Sequence, residues 1–342
     1  MVTGDRAAMS KGDRAAALME RTGIGALLRR RPPWRGVLVL NHHRMGDGSA
    51  WTTGRDVWSA TGEQFDEQLA FLARHFDLVG PGDLAAALAD PRARAVAITF
   101  DDGYRECYDI AYPILRARGA TALFFLTTGF LDGLRTAWWD EVTWMVSTSD
   151  RIQLQADEWL PAPLDLRAGR REAAIAELVA RYKTLPGDRA ERYLDHLGEV
   201  TGSGRRDPAA LAETWLTWEM VREMRAGGMA MGGHTVTHPV LARQPREVQH
   251  AEICVCAERI AEETGERPWS LSYPDGVRSS FDATTKAVLA DCGIRYGFSN
   301  YGGLARPGRT DSRDVPRISL GHSITRARFR AIATLPLQMH YH

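Results

Sequence analysis

Seven short apolar runs do most to limit what this chain can become: Val37–Leu40, Ala95–Phe100, Ala122–Leu126, Met229–Gly232, Ser270–Tyr273, Tyr296–Ser299 and Arg317–Leu320. Each is shorter than an ordinary helix, and the clearest, AVAITF, is rich in β-branched and aromatic residues, so they read as buried strands. The stretches between them have helical spacing. Phe65, Leu69, Phe71, Leu72 and Phe76 share one face, and Tyr108–Arg118, Trp218–Ala226, Pro245–Thr264, Phe281–Cys292 and Ile324–Leu335 behave alike. Strands alternating with helices imply a parallel sheet with right-handed crossovers. Seven of them call for a closed or nearly closed α/β barrel, with catalytic groups at the carboxyl ends of the strands.

The rhythm breaks between about 140 and 215, a segment rich in Arg, Glu and Ala. It reads as helices over Arg170–Tyr182 and Asp188–Val200 and offers no convincing strand, so a helical insertion after the third strand is expected, beside the mouth of the barrel. The expected organisation is a charged helical leader over 1–35 and a catalytic barrel over 36–342 that carries this insertion.

Two motifs fall on strand ends. Ala95–Phe100 runs straight into Asp101, Asp102, Gly103 and Tyr104. Adjacent carboxylates at a sheet end ionise together cheaply only beside a cation, although an Asp-Gly turn would also account for the pair. His234 and His238 follow the Met229–Gly232 run, and Pro239 stops any longer helix. Histidines four apart face one way across a single helical turn, as gripping one metal requires. With one aspartate they make a His-His-Asp set with an open position for water.

Charge excludes one class of partner: 43 basic and 43 acidic residues balance, so nothing points to nucleic acid. The four cysteines (Cys107, Cys254, Cys256, Cys292) form neither a metal-type nor a dense disulfide pattern and are expected to be packing thiols. No apolar segment of signal-peptide or membrane-spanning length occurs, so a cytoplasmic location is expected. Residues 14–31 are expected to form a basic helix, either solvated or in weak peripheral contact with anionic lipid, with the solvated form preferred.

TFDDGY, HTVTHP and Ser272-Tyr273-Pro274-Asp275-Gly276, in that order, resemble the motifs of the polysaccharide deacetylases, the NodB-homology proteins of carbohydrate esterase family 4. The resemblance runs from about Val37 to Leu335 and is weakest over the insertion. It implies a distorted (β/α)7-type barrel, a divalent metal (commonly zinc, with cobalt, nickel or manganese suited to the same ligands), and removal of an N-acetyl group from an amino sugar or glycoconjugate. It assigns Asp101 as catalytic base, Asp102, His234 and His238 as metal ligands, and the Asp275 N–H as an oxyanion donor. Tyr104, Tyr273 and Pro274 lie inside the motifs, and Trp139 and Asp140 follow the third strand as further substrate-binding candidates.

The chain departs from the family pattern in two places. Ser272 stands where an arginine often orients the base. Arg317 is a candidate substitute, with a surface arginine at a strand start as the alternative. The acid for the leaving amine is either His43, at the end of the first strand, or His322, with His43 preferred. Trp138 and Trp139 would stack on a sugar or pack against the insertion, and Asp140 would hold a substrate hydroxyl or cap the next helix. The competing functions are an O-acetyl esterase or other amide hydrolase, and a sugar-binding protein whose site has decayed.

Overall fold

The computed structural model describes residues 10–30, 32–48 and 57–339. All seven apolar runs become parallel strands: β1 Gly36–His42, β2 Arg94–Phe100, β3 Leu123–Leu126, β4 Ala230–Gly233, β5 Ser270–Ser272, β6 Tyr296–Phe298 and β7 Arg317–Ser319. Their order across the sheet is β6-β5-β4-β3-β2-β1-β7. The ring nearly closes where Ser299 N–H donates to the Val315 carbonyl (3.0 Å) and Val315 N–H to that of Gly297 (2.8 Å), just ahead of β7. The result is a distorted (β/α)7 barrel. A two-residue strand, Asp77–Leu78, adds to the edge of β2.

Alternation along the strands sorts the core into two layers. On β2, Val96, Ile98 and Phe100 point outward and pack with Leu38, Leu40, Phe65, Leu69 and Leu115. Ala95 and Ala97 point inward with Val37, Val39, Leu123, Phe125 and Phe298. The inward parity continues to Thr99 and Asp101, which is why the first carboxylate of the pair ends inside the barrel. Gly232 is inward too, and a Cβ there would stand 2.5 Å from the Phe125 ring, so that ring fills the space a side chain would need.

Three expectations need correcting. The leader is not one solvated helix: it breaks at Gly23 (φ 76) into Lys11–Arg21 and Ile24–Arg30. It docks through Ala16 and Met19 on the helix Arg326–Thr334, with Arg29 donating to Thr334 Oγ1 (3.2 Å) and paired to Glu20 (2.7 Å). Leu18, Ile24 and Leu27 stay exposed; residues 1–9 and Arg31 of the expected leader lie outside the described residues. The cysteines are not all thiols. Cys254 and Cys292, 38 residues apart, are joined because the helix Arg246–Thr264 packs against Ala283–Asp291 and its C-cap; Cys107 and Cys256 are free and buried. Finally, the insertion does contain strand: Gln153–Leu154 pairs antiparallel with Leu164–Asp165.

The helices of the insertion are Trp138–Thr148, Arg171–Tyr182 and Gly187–Thr201. They share a separate apolar cluster that includes Val142, Met145, Leu178, Tyr193, Leu194 and Leu197. Among the described residues no helix is long and apolar enough to cross a membrane.

Candidate active site

At the carboxyl ends of the strands lies a cleft of about 420 Å³ whose floor holds His43, Asp101, Asp102, His234 and His238. Asp102 should point outward by strand parity. Its left-handed backbone (φ 74) turns it back over the barrel mouth, so both carboxylates serve one space. The His234–His238 segment is not the helical turn expected from the spacing. It is a bend with left-handed backbone at Thr235 (φ 68) and His238 (φ 59), braced by His238 N–H donating to Thr235 Oγ1 (3.0 Å). Glu252, on the outer helix Arg246–Thr264, accepts from Val236 N–H, Thr237 N–H and Thr237 Oγ1–H at 2.6–2.8 Å and holds the bend from behind. With Asp275 (φ 64), these are the non-glycine residues with positive φ among those described, and all four sit at this site. Each costs about 1–3 kcal/mol, the kind of local strain that collects at functional sites.

His234 donates Nδ1–H to the Ser272 carbonyl (2.8 Å), which aims the Nε2 lone pair at its neighbours. Asp102 Oδ1, His234 Nε2 and His238 Nε2 then lie 3.1, 3.3 and 3.5 Å from one another. A four-coordinate ion with bonds of about 2.0–2.1 Å spaces its ligands by about 3.4 Å. Asp102 Oδ1 has no hydrogen-bond partner despite being buried, so three acceptor-capable atoms face a common point that one cation would satisfy. A carboxylate with two imidazoles fits a first-row divalent metal.

Beside this trio, Arg317 binds Asp101 bidentately, Nη1 to Oδ1 and Nη2 to Oδ2, each at 2.7 Å. The guanidinium is fully buried, which corrects the surface-arginine alternative. Asn41 (3.0 Å) and Ser272 (3.1 Å) also donate to Asp101 Oδ2, while Thr99 Oγ1–H and Arg317 fix the Asn41 carbonyl. Burial pushes the Asp101 carboxyl upward, but the charge and hydrogen bonds of Arg317 overcome it and hold the group far below its ordinary range. Asp102 is likewise lowered against its burial, mainly by its contact with His234. Burial and the neighbouring His234 drive His238 down to about 3.

A family model for the polysaccharide deacetylases matches residues 89–163 and 187–297, more than half of the chain. This chain belongs to that family. Solved structures of similar fold include a deacetylase, PplD, from Streptococcus pyogenes in complex with acetate (17% identity, 88% of this chain and 99% of that one, TM-score 0.57). IcaB from Ammonifex degensii (19%, 88% and 96%, TM-score 0.54) and a de-N-acetylase from Aggregatibacter actinomycetemcomitans (16%, 84% and 96%, TM-score 0.53) are also similar. No curated protein sequence matches.

The remaining candidates separate. His43 lines the cleft with Nε2 3.9 Å from Asp101 Oδ2. His322 is not part of the lining; its backbone N–H donates to the Trp58 carbonyl (2.7 Å). Trp139, Tyr273 and Asp275 line the cleft, whereas Tyr104, Asp140 and Pro274 do not. Tyr104 is buried, stacked on Trp215 (4.6 Å), and its hydroxyl accepts from Trp139 Nε1–H (3.0 Å), so it shapes the rim from behind. Asp140 sits inside the helix Trp138–Thr148, whose N-cap is Ala137, and its carboxylate faces the Tyr104 hydroxyl (3.5 Å). It neither caps the helix nor meets the cleft, and burial raises it to about 6. The Tyr273 hydroxyl is committed to the Arg313 carbonyl (2.6 Å) and its buried ring stacks on Phe281 (4.1 Å), so it supports the cleft rather than offering a free polar group.

Sequence reading missed Asn41, Thr99 and Lys183. The first two carried a signal: they share the inward parity of Asp101 on paired strands, with Asn41 opposite Thr99 in register. Lys183 pairs with Asp275 from the end of an insertion helix, and nothing in local sequence announces that.

Proposed function

We propose that this protein is a divalent-metal-dependent deacetylase that hydrolyses the N-acetyl group of an amino sugar. The observation that carries the reading is the convergence of Asp102, His234 and His238 beside an arginine-held aspartate. In this reading the trio holds the ion, most simply zinc. An ion there supplies Lewis acidity that polarises the amide carbonyl and acidifies water. Asp101, kept ionised by Arg317, is a weak base and accepts a proton only from water so acidified. The Asp275 N–H, which donates to no group among the described residues, is placed to receive the developing oxyanion. His43 delivers a proton to the departing nitrogen as the C–N bond breaks, giving acetate and a free amine. An ester would leave without that proton, so N-acetyl and O-acetyl substrates separate this reading from an esterase.

The bidentate Arg317 pair also counts against a decayed sugar-binding site, because the missing motif arginine was its chief support. The Cys254–Cys292 bridge favours an oxidising compartment over the cytoplasm, where thiols are kept reduced; thiol counting on protein taken directly from cells checks this.

Metal analysis and acetate release test the central claim together. Asp102→Ala and His238→Ala should purify without stoichiometric metal and release no acetate. Asp101→Asn should keep the metal and lose roughly 10²-fold or more in turnover. Full metal content in His238→Ala, or full activity in Asp101→Asn, would overturn the assignment.

A further inference from the structure

One wall of the cleft comes from the helix Arg171–Tyr182, whose aliphatic residues Ile175 and Val179 also belong to the edge of the insertion's own core. Ala174, Ile175, Leu178 and Tyr182 enter the apolar cluster of the insertion, and Val179 packs against it. Glu172, Ile175, Ala176, Val179 and, one turn on, Lys183 line the cleft. The stripe is charged at its two ends and aliphatic through its middle. The family model passes from residue 163 to residue 187, so this entire helix lies outside what it matches. Yet the wall is fastened to the site. Lys183 pairs with Asp275, Tyr182 stacks on Trp138 (4.1 Å), and Trp138 Nε1–H donates to the His238 carbonyl (3.2 Å).

We propose that the cleft takes a single N-acetylated amino sugar joined to an apolar alkyl or aryl aglycone, rather than a run of polysaccharide; this rests on the deacetylase reading above. A pyranose ring stacks on flat aromatic faces and hydrogen-bonds through its hydroxyls. Trp139 offers such a face beside His238. Ile175, Ala176 and Val179 offer neither a flat face nor a partner for hydroxyls, and sugar hydroxyls buried against them would lose their hydrogen bonds to water unreplaced. An alkyl or aryl group there gains instead. The volume, about 420 Å³, is that of a small-molecule pocket.

The zinc-loaded protein would be assayed on octyl and phenyl β-glycosides of N-acetylglucosamine, on free N-acetylglucosamine, on chitotetraose and on N-octanoylglucosamine. Release of the free acid, octanoate from N-octanoylglucosamine and acetate from the other substrates, would be read alongside calorimetric binding of the deacetylated octyl and phenyl glycosides, free glucosamine and a chitosan tetramer. The octyl or phenyl glycoside should be favoured over the free sugar by at least roughly tenfold in both readouts, the factor that burying about two methylenes brings. The stronger of the two identifies the aglycone as alkyl or aryl. Ala176→Asp, at an exposed position, and the near-isosteric Val179→Thr should each draw that ratio toward one. Chitotetraose preferred over both glycosides would overturn the proposal and leave the deacetylase reading standing. So would a preference for N-octanoylglucosamine, which would put the apolar group on the acyl side. No acid released from any substrate by metal-loaded protein would sink both.

Discussion

The floor of the cleft gathers side chains from strand ends as far as 276 residues apart, Asn41 to Arg317, while the wall comes from one continuous stretch, Trp138 to Lys183. The floor is charged, largely buried and strained: two carboxylates, an arginine, three imidazoles and four left-handed backbones. The wall is ordinary amphipathic helix on an apolar cluster of its own. Chemistry that needs several charges within a few ångströms can be held only by a scaffold that fixes each from a different direction. A surface that chooses among substrates needs only shape and polarity, which a local insertion can change without disturbing the barrel. Reaction and selectivity are therefore built as separable parts.

The largest effect should come from the floor. Arg317→Met leaves the Asp101 charge buried without its cation, and a loss of roughly 3–5 kcal/mol in denaturant melts at pH 7 is expected; under about 1 kcal/mol would mean that the floor does not depend on this pair. Next comes His42, at the end of β1, whose pKa burial pushes down to about 4. Unfolded, it titrates near 6.5, so the unfolded chain takes up protons first and stability falls as pH drops from 6.5 to 4. The fall is up to roughly 3 kcal/mol from this group, and His42→Phe should flatten it. Melts that keep their full slope in that variant would assign the acid sensitivity elsewhere. Trp138→Phe cuts one of the hydrogen bonds joining the two regions and should cost about 1 kcal/mol, with metal retained; loss of metal would show that the regions are not separable. Smallest is Lys183→Met, a partly exposed pair worth at most about 1 kcal/mol. It should raise KM with kcat unchanged, and a fall in kcat would bring the wall into the chemistry.

The strands were legible because a buried parallel strand is a short apolar run, whatever surrounds it. The cluster of Asp102, His234 and His238 was legible as a set of residue types at strand ends, but not in its local shape. The four-residue spacing suggested a helical turn, whereas left-handed backbone at Thr235 and His238 brings the rings together. Arg317 could be named only as a candidate, because its guanidinium arrives through the barrel interior from a strand remote in sequence. The same distance hid the Cys254–Cys292 bridge, which depends on how two outer helices pack. Asp140, read as a holder of a substrate hydroxyl or as a helix cap, is outside the cleft lining and is not the cap, because the chain begins that helix at Trp138 with Ala137 as N-cap.

The Glu252 carboxylate takes three donors from the bend that carries both imidazoles, yet it belongs to the outer layer and faces no sugar. It works as a clasp fitted from outside. The placement of both imidazoles is thus set partly by a residue on the far side of the sheet, and wear on the exterior of this protein can open its centre.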